Sequence, residues 1–373
     1  GGPAMIRAAA KNYKNVAVVV DPTDYPMITR SISGAGITAD DRLMLAKKAF
    51  ARTAAYDAAI SNYLYRLDGD FPSVLTVQYT GGRSLRYGEN PHQKAAVYGT
   101  RGIAGTEPVQ GKQMSYNNYL DVNAGVGLLR EFDEPAAVIM KHNNPCGVAI
   151  GDGIFDAYIA ARDVDPASAY GSVVSVNCEV DGKLAQEICN TFVEVIVAPA
   201  CSPEAFRVMK KKENMRVIVL PEKTESDEIR TIEGGVLVQR TPAYQEHWKV
   251  ITDRDPTPNE MKALQLAWKV CKHTKSNTII FADQKRTLGI GAGQMSRVDS
   301  AKIAISKACG SLKGSAVASD AFLPFPDTLE VAADAGATAL VQPGGSIRDK
   351  EVIEAANRFH MAMVFTGVRY FRH

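Results

Sequence analysis

The sequence has little excess of charge of either sign. Its 373 residues include 43 basic and 41 acidic side chains, which gives a formal net charge of +2. Proteins that bind nucleic acid or anionic membranes through charge usually carry a clear basic excess, so no nucleic-acid or membrane partner is expected. The one basic run, at residues 210–212, is followed by Glu213 and is interpreted as a solvated helix end.

Long apolar runs and paired cysteines are also absent from the sequence. No stretch of about 18 uninterrupted apolar residues occurs, and no basic segment with an apolar core follows the first residue, so neither a membrane span nor an export signal is predicted. The six cysteines form no C-x-x-C pair and have no histidine at metal-ligand spacing. This scatter argues against a transition-metal site and favours reduced thiols in a cytoplasmic protein.

The chain contains enough apolar residues to bury more than one core. Hydrophobic residues make up 46% of it, and single cores stop growing near roughly 250 to 300 residues. Short apolar runs, among them residues 136–140, 173–176, 195–198 and 339–342, alternate with helical stretches such as residues 260–272. This alternation predicts the α/β class, with mixed or parallel sheets covered by helices.

The N-terminal part has a different pattern. Residues 16–20 form a β-branched apolar run that predicts a buried strand. Residues 39–68 have apolar positions at helical spacing, preceded by two aspartates, and predict a long helical connector. The sequence starts at Gly1 without an initiator Met and enters a helical pattern at once, so we expect a piece of a longer protein.

A faint internal duplication marks the rest of the chain. Residues 171–175 resemble residues 314–318, and residues 195–199 resemble residues 339–343 at nearly the same offset. The two matches favour a pair of similar subdomains with a cleft between them. Chance similarity between α/β units also explains matches as short as these.

Residues 136–147, AAVIMKHNNPCG, are the segment most indicative of chemistry. An apolar strand here delivers Lys141 and His142 into a loop rich in Asn, Pro and Gly, and strand ends of α/β sheets are where ligands bind. A fixed cation beside a group that titrates near neutrality suits removal of a proton from an amine while oxygen charge is neutralised. A helix-capping or surface pair is the alternative interpretation.

A second polar segment, residues 85–93, reads LRYGENPHQ. It brings Arg86, Tyr87 and His92 within a few residues of one another. A guanidinium can bind a phosphate with two hydrogen bonds and a tyrosine ring can stack on a base, so the segment suits nucleotide binding. By composition alone, a surface turn explains it at least as well.

Two glycine-rich segments lie between an apolar run and a helical stretch. In residues 289–297, GIGAGQMSR, the glycine amides and Arg297 could hold a phosphate. This segment has neither the Gly-Lys-Ser/Thr of a P-loop nor the full G-x-G-x-x-G spacing, so ATP and NAD are not expected as its ligands. Residues 343–348, PGGSIR, also suit an anion, with a plain strand-to-helix turn as the alternative.

Together these segments resemble the bifunctional purine-biosynthesis enzymes that join AICAR transformylase to IMP cyclohydrolase. The matching segments occur in the family's order and are residues 85–93, 141–147, 165–171, 276–277, 289–297, 319–325 and 369–373. Seven ordered matches that extend from residue 85 to the last residue leave little room for coincidence.

The resemblance implies a fold and a division of the chain. It predicts two cytidine-deaminase-like α/β subdomains, at residues 71–245 and 246–373, which form the transformylase. Residues 1–38 would be the C-terminal remnant of a methylglyoxal-synthase-like cyclohydrolase domain, and residues 39–70 the helical connector. A cytoplasmic, intertwined homodimer with active sites at the subunit interface is implied as well.

The resemblance also implies substrates and residue roles. AICAR would be formylated by 10-formyltetrahydrofolate without a transition metal, and a structural monovalent cation is compatible with the family. The catalytic residues would be Lys141, His142 and Asn277. The residues expected to bind substrate are Arg86, Tyr87, Tyr170, Gly171, Glu194, Arg297, Phe322 and Arg369, with His92, Asn143, Asn144 and Pro145 in auxiliary positions. Glu194 stands where some relatives carry Asp, and Tyr170 where many carry Phe.

For the cyclohydrolase, the resemblance assigns only Lys11 to the site. The acidic residue expected just before Gly1 and the phosphate-binding loops upstream of it do not occur in this sequence. Cyclohydrolase activity is therefore expected only in the full-length protein.

The implied reaction is attack by the AICAR 5-amino group on the formyl carbon. His142 would accept the amine proton, Lys141 would stabilise the oxyanion or protonate the leaving folate nitrogen, and Asn277 would orient these groups. Two alternatives stay open. One is a non-catalytic nucleotide-binding or dimerisation fragment, and the other is a cyclohydrolase that borrows its missing half from a separate chain.

Overall fold

The computed structural model describes residues 2–69, 71–224, 227–240 and 245–373. The chain divides into two units, with the division between Thr80 and Gly81. Within the described ranges, no helix has both the length and the apolar character needed to cross a membrane. The predicted domain ends at residues 1 and 70 lie outside the described residues, and the domain boundaries stay predictions.

The first unit is helical in its described part. Its elements are α1 (Gly2–Lys11), a 3-10 helix (Pro22–Asp24), α2 (Tyr25–Ile32) and α3 (Ala39–Asp68). Helix α3 begins with a capping box, in which the Thr38 hydroxyl accepts from the Asp41 amide and the Asp41 carboxylate accepts from the Thr38 amide. The helix predicted over residues 39–68 therefore forms with the expected bounds.

The strand predicted at residues 16–20 is wrong. These residues are half-buried and have no strand assignment. An extended segment becomes a strand only when a neighbouring strand supplies hydrogen-bond partners, and the described part of this unit has none. Val18 and Val20 pack instead against a small core that includes Ala10 and Ala49.

The second unit contains two large sheets with the helices that cover them, and two further pairs of strands. Its first half comprises β1 (Arg83–Leu85), β2 (Ala95–Val97), α4 (Gly102–Gly105), α5 (Tyr116–Leu129), β3 (Ala136–Lys141), β4 (Asn144–Ile150), α6 (Ile154–Arg162), α7 (Pro166–Ala169), β5 (Ser172–Val176), α8 (Gly182–Cys189), β6 (Val193–Ala198), α9 (Pro203–Met209) and β7 (Arg216–Val219). Its second half comprises β8 (Glu228–Ile232), β9 (Gly235–Gln239), β10 (Lys249–Val250), α10 (Pro258–Lys272), β11 (Ile279–Ala282), β12 (Thr287–Gly291), α11 (Arg297–Lys307), β13 (Ala316–Ser319), α12 (Asp327–Asp334), β14 (Ala339–Gln342), α13 (Asp349–Arg358) and β15 (Ala362–Phe365). The two further pairs are β1–β2 and β8–β9.

The two sheets repeat one arrangement. The five-stranded sheet has the order β4-β3-β5-β6-β7, and the six-stranded sheet has the order β10-β15-β14-β13-β11-β12. In each, an antiparallel hairpin (β3–β4 or β11–β12) is followed by an antiparallel neighbour and then two parallel strands. Helices between the parallel strands make this an α/β fold, which confirms the predicted class.

The sheets meet through their hairpins. The backbone amide of Ile150 in β4 donates to Lys285 O at 2.7 Å, and the Val148 amide donates to the Thr287 hydroxyl at 3.1 Å. The largest apolar core combines one face of each sheet with α5 and α10, and includes the fully buried Trp268. Helices α6, α8 and α9 contribute to the core on the other face of the first sheet, and α11 to α13 on that of the second.

Candidate active site

Lys141 and His142 lie at the tip of the β3–β4 hairpin. Only two residues connect the strands, His142 and Asn143, and both have positive φ angles, 53° and 62°. A two-residue turn of this type matches the twist of paired strands, but a histidine seldom adopts a left-handed φ. Surrounding contacts must stabilise that conformation, which marks the turn as a candidate functional feature.

The long Asn/Pro/Gly loop predicted after Lys141 is wrong, because β4 already begins at Asn144. Strand β4 lies at the edge of its sheet, where a proline such as Pro145 is tolerated. Gly147 is also part of the strand, and a Cβ atom there would collide with the carbonyl oxygen of Ala161 in α6. Pro145 and Gly147, residue types that usually indicate a turn, therefore lie in an edge strand, and Gly147 allows its close contact with α6.

An aspartate from α5 contacts this turn. Asp121 Oδ1 accepts a hydrogen bond from the Asn143 amide at 2.6 Å, and the His142 amide faces the same carboxylate. Burial raises the pKa of Asp121, although both amides and the nearby His142 oppose that rise. Sequence reasoning missed Asp121, since one aspartate within a helical pattern carries no signal of its own.

Lys141 is held beside Tyr170. Its Nζ donates to the Tyr170 carbonyl oxygen at 2.6 Å. The Tyr170 ring is 61% exposed and lies 5.3 Å from the Phe192 ring, measured between centroids. Gly171, with φ at 72°, donates its amide to Phe192 O at 2.7 Å. The structure thus brings together three of the predicted residues, Lys141, Tyr170 and Gly171.

A cavity of about 390 Å³ adjoins the hairpin turn. It is lined by Lys141, His142, Asn144, Pro145, Cys146, Val164, Asp165, Ser168, Gly289, Ile290, Ala292, Gln294, Ile303 and Lys307. Burial would raise the pKa of Asp165, but hydrogen bonds from Ser168 and Lys307 outweigh it and lower that pKa. Burial raises the pKa of Cys146 to about 12, so its thiol stays protonated and is no nucleophile.

A second cavity, of about 650 Å³, contains three more predicted residues. Its lining comprises Ser84, Leu85, Arg86, Tyr87, Lys112, Gln113, Met114, Ser115, Phe192, Glu194, Asn214 and Arg216. The Arg86 guanidinium lies 4.8 Å from the centre of the Tyr87 ring. Glu194 accepts from Asn118 Nδ2 at 2.9 Å and lies 3.7 Å from Arg216 Nη1. Three cations and one carboxylate therefore face one space.

Sequence reasoning missed two of those cations, Lys112 and Arg216. Arg216 begins the apolar strand β7, and an arginine at a strand end usually indicates only solvent exposure. Its Nε donates to Gln113 O at 3.1 Å, which directs the guanidinium toward Glu194. The cavity is assembled from parts of the chain that the sequence pattern does not connect.

Asn277 lies where the C-terminal segment crosses the second sheet. Its Nδ2 donates to Met295 O at 3.0 Å, which leaves Oδ1 as an acceptor. The preceding residue, Ser276, forms a cis peptide bond with Asn277 and donates its amide to Arg372 O at 2.8 Å. The Tyr370 amide donates to Asp320 O at 3.1 Å. The chain end that carries Arg369 is therefore fixed near Asn277.

Arg297 and Arg369 differ in their electrostatic surroundings. Arg297 Nη2 lies 3.2 Å from a carboxylate oxygen of Asp320, and that aspartate is fully buried. Arg369 is exposed, with its guanidinium 4.3 Å from the Phe371 ring centre, and Arg297 is 5.8 Å from the same ring. The charge of Arg297 is already compensated, whereas Arg369 is available to an anion. Phe322, 36% exposed, belongs to the loop that follows β13.

Two glycines of the first glycine-rich segment, Gly289 and Gly291, have a packing role, and phosphate binding by this segment stays a prediction. Both lie in β12, where they pair with Phe281 and Ile279 of β11. Added Cβ atoms would collide with backbone carbonyl oxygens of Ala304 and Ser300 in α11. These glycines permit close packing of strand and helix, as Gly147 does in the first half.

One hydrogen bond links the hairpin turn to the Asn277 segment. Asn144 Oδ1 accepts from the Lys275 amide at 3.1 Å. The candidate catalytic residues therefore belong to neighbouring segments of the second unit. His92 lies exposed in the turn closed by the 2.7 Å hydrogen bond from the Gly88 amide to Gln93 O. Lys11 ends α1 in the first unit and is exposed.

Within the part of the chain that the structure describes, no group of three or more His, Cys, Asp or Glu side chains could hold a metal ion. The carboxylates of both cavities instead pair with cations, Glu194 with Arg216 and Asp165 with Lys307. Cations, a histidine and hydrogen-bond acceptors are the chemical groups available here.

Comparisons with known proteins agree on one family. The family model described as AICARFT/IMPCHase bienzyme matches residues 9–307. The bifunctional purine biosynthesis protein PurH of Thermoanaerobacter sp. (strain X514) is 48% identical over 383 residues, covering 100% of this chain and 75% of that protein. The proteins of the same name from Myxococcus xanthus (strain DK1622) and Bacillus cytotoxicus are also 48% identical, with 100% of this chain and 76% of each relative covered.

Proposed function

This chain belongs to the AICARFT/IMPCHase bienzyme family, and from that membership we infer that it is a transferase of purine biosynthesis. It transfers the formyl group of 10-formyltetrahydrofolate to the 5-amino group of AICAR. The observation that carries this function is the hairpin tip, where a lysine ammonium and an exposed imidazole adjoin one cavity. Amine formylation needs a proton acceptor beside a group that stabilises oxyanion charge.

In our proposal, the two residues of the hairpin tip have separate roles in the reaction. The AICAR amine attacks the formyl carbon, a C–N bond forms, and the carbonyl electrons move to oxygen. His142 takes the proton that the amine loses. The Lys141 ammonium donates one of its three N–H groups to Tyr170 O, so two N–H groups remain to stabilise the oxyanion.

Collapse of the tetrahedral intermediate then breaks the bond from the formyl carbon to the folate nitrogen. Lys141 gives that nitrogen a proton, and the proton held by His142 returns to Lys141 through solvent. The products are formyl-AICAR and tetrahydrofolate. Asn277 orients the amine through its Oδ1, since its Nδ2 is occupied by Met295 O.

The second cavity suits the nucleotide part of AICAR. Arg86, Lys112 and Arg216 supply positive charge for a phosphate, and Glu194 can accept hydrogen bonds from ribose hydroxyls. The exposed Tyr170 ring lies 5.3 Å from the ring of Phe192, a lining residue of this cavity, and Lys141 contacts Tyr170. That chain of contacts supports a ligand extending from the cationic cavity toward the hairpin tip.

We further propose a homodimer whose sites combine residues of both subunits. Arg369 lines neither cavity, although the resemblance assigns it to the AICAR phosphate. Helix α3 exposes a stripe of large apolar side chains at helical spacing, Tyr56, Ile60, Tyr63 and Leu67. An exposed stripe of this kind usually marks a protein contact, and a second copy of the chain is the partner we propose.

The finer fold assignments also belong to this proposal. The matching strand order of the two sheets supports the duplicated, cytidine-deaminase-like subdomains at residues 71–245 and 246–373. The methylglyoxal-synthase-like character of residues 1–38 and the structural monovalent cation rest on the resemblance alone. The connector at 39–70 rests also on the helical spacing of its apolar residues, and the cytoplasmic location also on the scattered cysteines. Lys11 is the one cyclohydrolase residue predicted in the first unit, and the geometry of the second unit supports formyl transfer.

The direct test is an assay of the purified chain. AICAR and 10-formyltetrahydrofolate are mixed with the protein, and tetrahydrofolate formation is followed by absorbance. We expect turnover in the wild type and a loss of about 100- to 10,000-fold in His142→Ala, as for other proton-transfer groups. AICAR binding without turnover in the wild type would favour the non-catalytic nucleotide-binding fragment instead.

Mixing two inactive variants tests the shared site. When Arg86→Ala and Arg369→Ala proteins exchange subunits, half of the dimers are mixed, and each mixed dimer has one intact site if the two arginines come from different subunits. About a quarter of the wild-type activity should then return. No recovery after verified subunit exchange would mean that both arginines serve a site within one chain.

A further inference from the structure

The turn that carries His142 surrounds one carboxylate with two amide groups. His142 and Asn143 are consecutive residues with left-handed φ angles, so their amides point to the same side of the chain. Successive amides in this geometry form a small concave site for an anion. Here the anion is the side chain of Asp121, which accepts from Asn143 N at 2.6 Å and faces the His142 amide.

Asp121 does not serve the ordinary structural needs of its own helix. It lies six positions into α5 (Tyr116–Leu129), and Ser115 already caps the helix N-terminus by accepting from the Asn118 amide. The charged groups that face the Asp121 carboxylate are His142 and Glu194. A half-buried carboxylate is costly to desolvate, so a stable placement requires the amides of the turn.

The geometry of the turn depends on that carboxylate. His142 and Asn143, with φ at 53° and 62°, are in a sparsely populated conformation, and one contact that stabilises it is the bond from the Asn143 amide to Asp121. If the carboxylate were removed, the Asn143 amide would lose its acceptor and the turn could relax. The imidazole of His142 would then move relative to Lys141, which is separately anchored on Tyr170 O.

We propose that Asp121 is a positioning residue for His142: its carboxylate binds the Asn143 amide of the hairpin turn, faces the His142 amide, and fixes the imidazole at the point where it meets the substrate amine. This role rests on the proposed formyl transfer. Asp121 does not touch the substrate, and its effect on the reaction passes through the conformation of the turn.

The test compares Asp121→Asn with Asp121→Glu and with Asn123→Ala, an exposed position of the same helix. Asparagine has nearly the same shape, but an NH2 group replaces one of the two carboxylate oxygens, and this donor repels an amide N–H. We expect kcat to fall by about 100-fold in Asp121→Asn with AICAR affinity within threefold of wild type, because a displacement of about 1 Å has effects of this size. Asp121→Glu should recover part of that loss, and Asn123→Ala should leave kcat unchanged.

Amide hydrogen exchange gives a readout that does not require activity. In Asp121→Asn, the amides of His142 and Asn143 should exchange at least about tenfold faster, while those in β3 and α5 keep wild-type rates. Faster exchange throughout β3 and α5 would indicate general destabilisation and overturn the positioning role. Unchanged exchange at the turn, or kcat within twofold of wild type, would also overturn it. If the wild type transfers no formyl group, the proposed function fails while the exchange experiment still decides whether Asp121 holds the turn.

Discussion

The imidazole Nδ1 of His273 and the Nη1 of Arg372 lie 3.3 Å apart, although 99 residues separate them in the sequence. Arginine can only donate, so Nδ1 accepts, and the proton on Nε2 is donated to Glu131 Oε1 at 3.0 Å. This pattern requires a neutral imidazole. Arg372 also bonds Ser276 through its backbone, so neutral His273 helps to hold the segment that carries Arg369.

Acid is expected to loosen this C-terminal segment. Burial lowers the pKa of His273, although Glu131 opposes the shift. When a histidine has a lower pKa in the folded than in the unfolded protein, full stability is present above the unfolded value, about 6.5, and is lost as the pH falls through the folded value. The melting temperature should therefore drop between about pH 7.5 and pH 5.

The variant His273→Gln tests whether His273 causes the drop in melting temperature. Its carboxamide can accept from Arg372 and donate to Glu131, and it does not titrate. We expect a shallower drop in melting temperature over the same pH range than in the wild type. The matched control is His92→Gln at an exposed histidine, which should keep the wild-type slope. Equal slopes in His273→Gln and wild type would contradict the assignment.

A single added methyl group at Gly291 is expected to destabilise the second unit. Its Cβ would collide with Ser300 O, so β12 and α11 would have to separate. Overpacking costs about 1 to 3 kcal/mol, and a backbone collision belongs at the upper end. Urea denaturation of Gly291→Ala should show this loss, whereas Gly235→Ala, with no atom within 4 Å of its added Cβ, should stay near wild type.

Arg216→Ala is expected to weaken AICAR binding. The guanidinium faces the second cavity beside Glu194, and loss of a charged hydrogen bond to a phosphate costs about 1.5 to 3 kcal/mol. Isothermal titration should give a Kd for AICAR at least about tenfold higher. Arg207→Ala, at an exposed arginine of α9, is the control for net charge. An unchanged Kd in Arg216→Ala would mean that the nucleotide does not use this cavity.

Formyl transfer is expected to continue in the presence of a strong chelator. The proposed chemistry uses an imidazole, an ammonium and a carboxamide, which act on protons and oxyanion charge without a metal ion. Turnover after dialysis against EDTA should match that of untreated protein. Activity that disappears with the chelator and returns with zinc would contradict the proposed mechanism.

Local patterns in the sequence predicted several long helices and the central strands of both large sheets. The apolar spacing over residues 39–68 and 260–272 predicted helices that are present as Ala39–Asp68 and Pro258–Lys272. Helical periodicity and capping residues lie within one segment of the chain, so a helix can be predicted from them without knowledge of the fold. The strand at residues 16–20 was predicted wrongly because a strand also needs a neighbour, which no local pattern supplies.

The same division holds for the candidate site. The sequence by itself determined the α/β class. Through its ordered motifs it also determined the family and its reaction, because the chemistry of Lys141 and His142 follows from their residue types. The tertiary structure alone decided that His142 lies in a left-handed turn on Asp121, and that Arg216 and Glu194 share a cavity. Those contacts join segments far apart in the chain, and only the packing of helices against sheets brings them within a few ångströms.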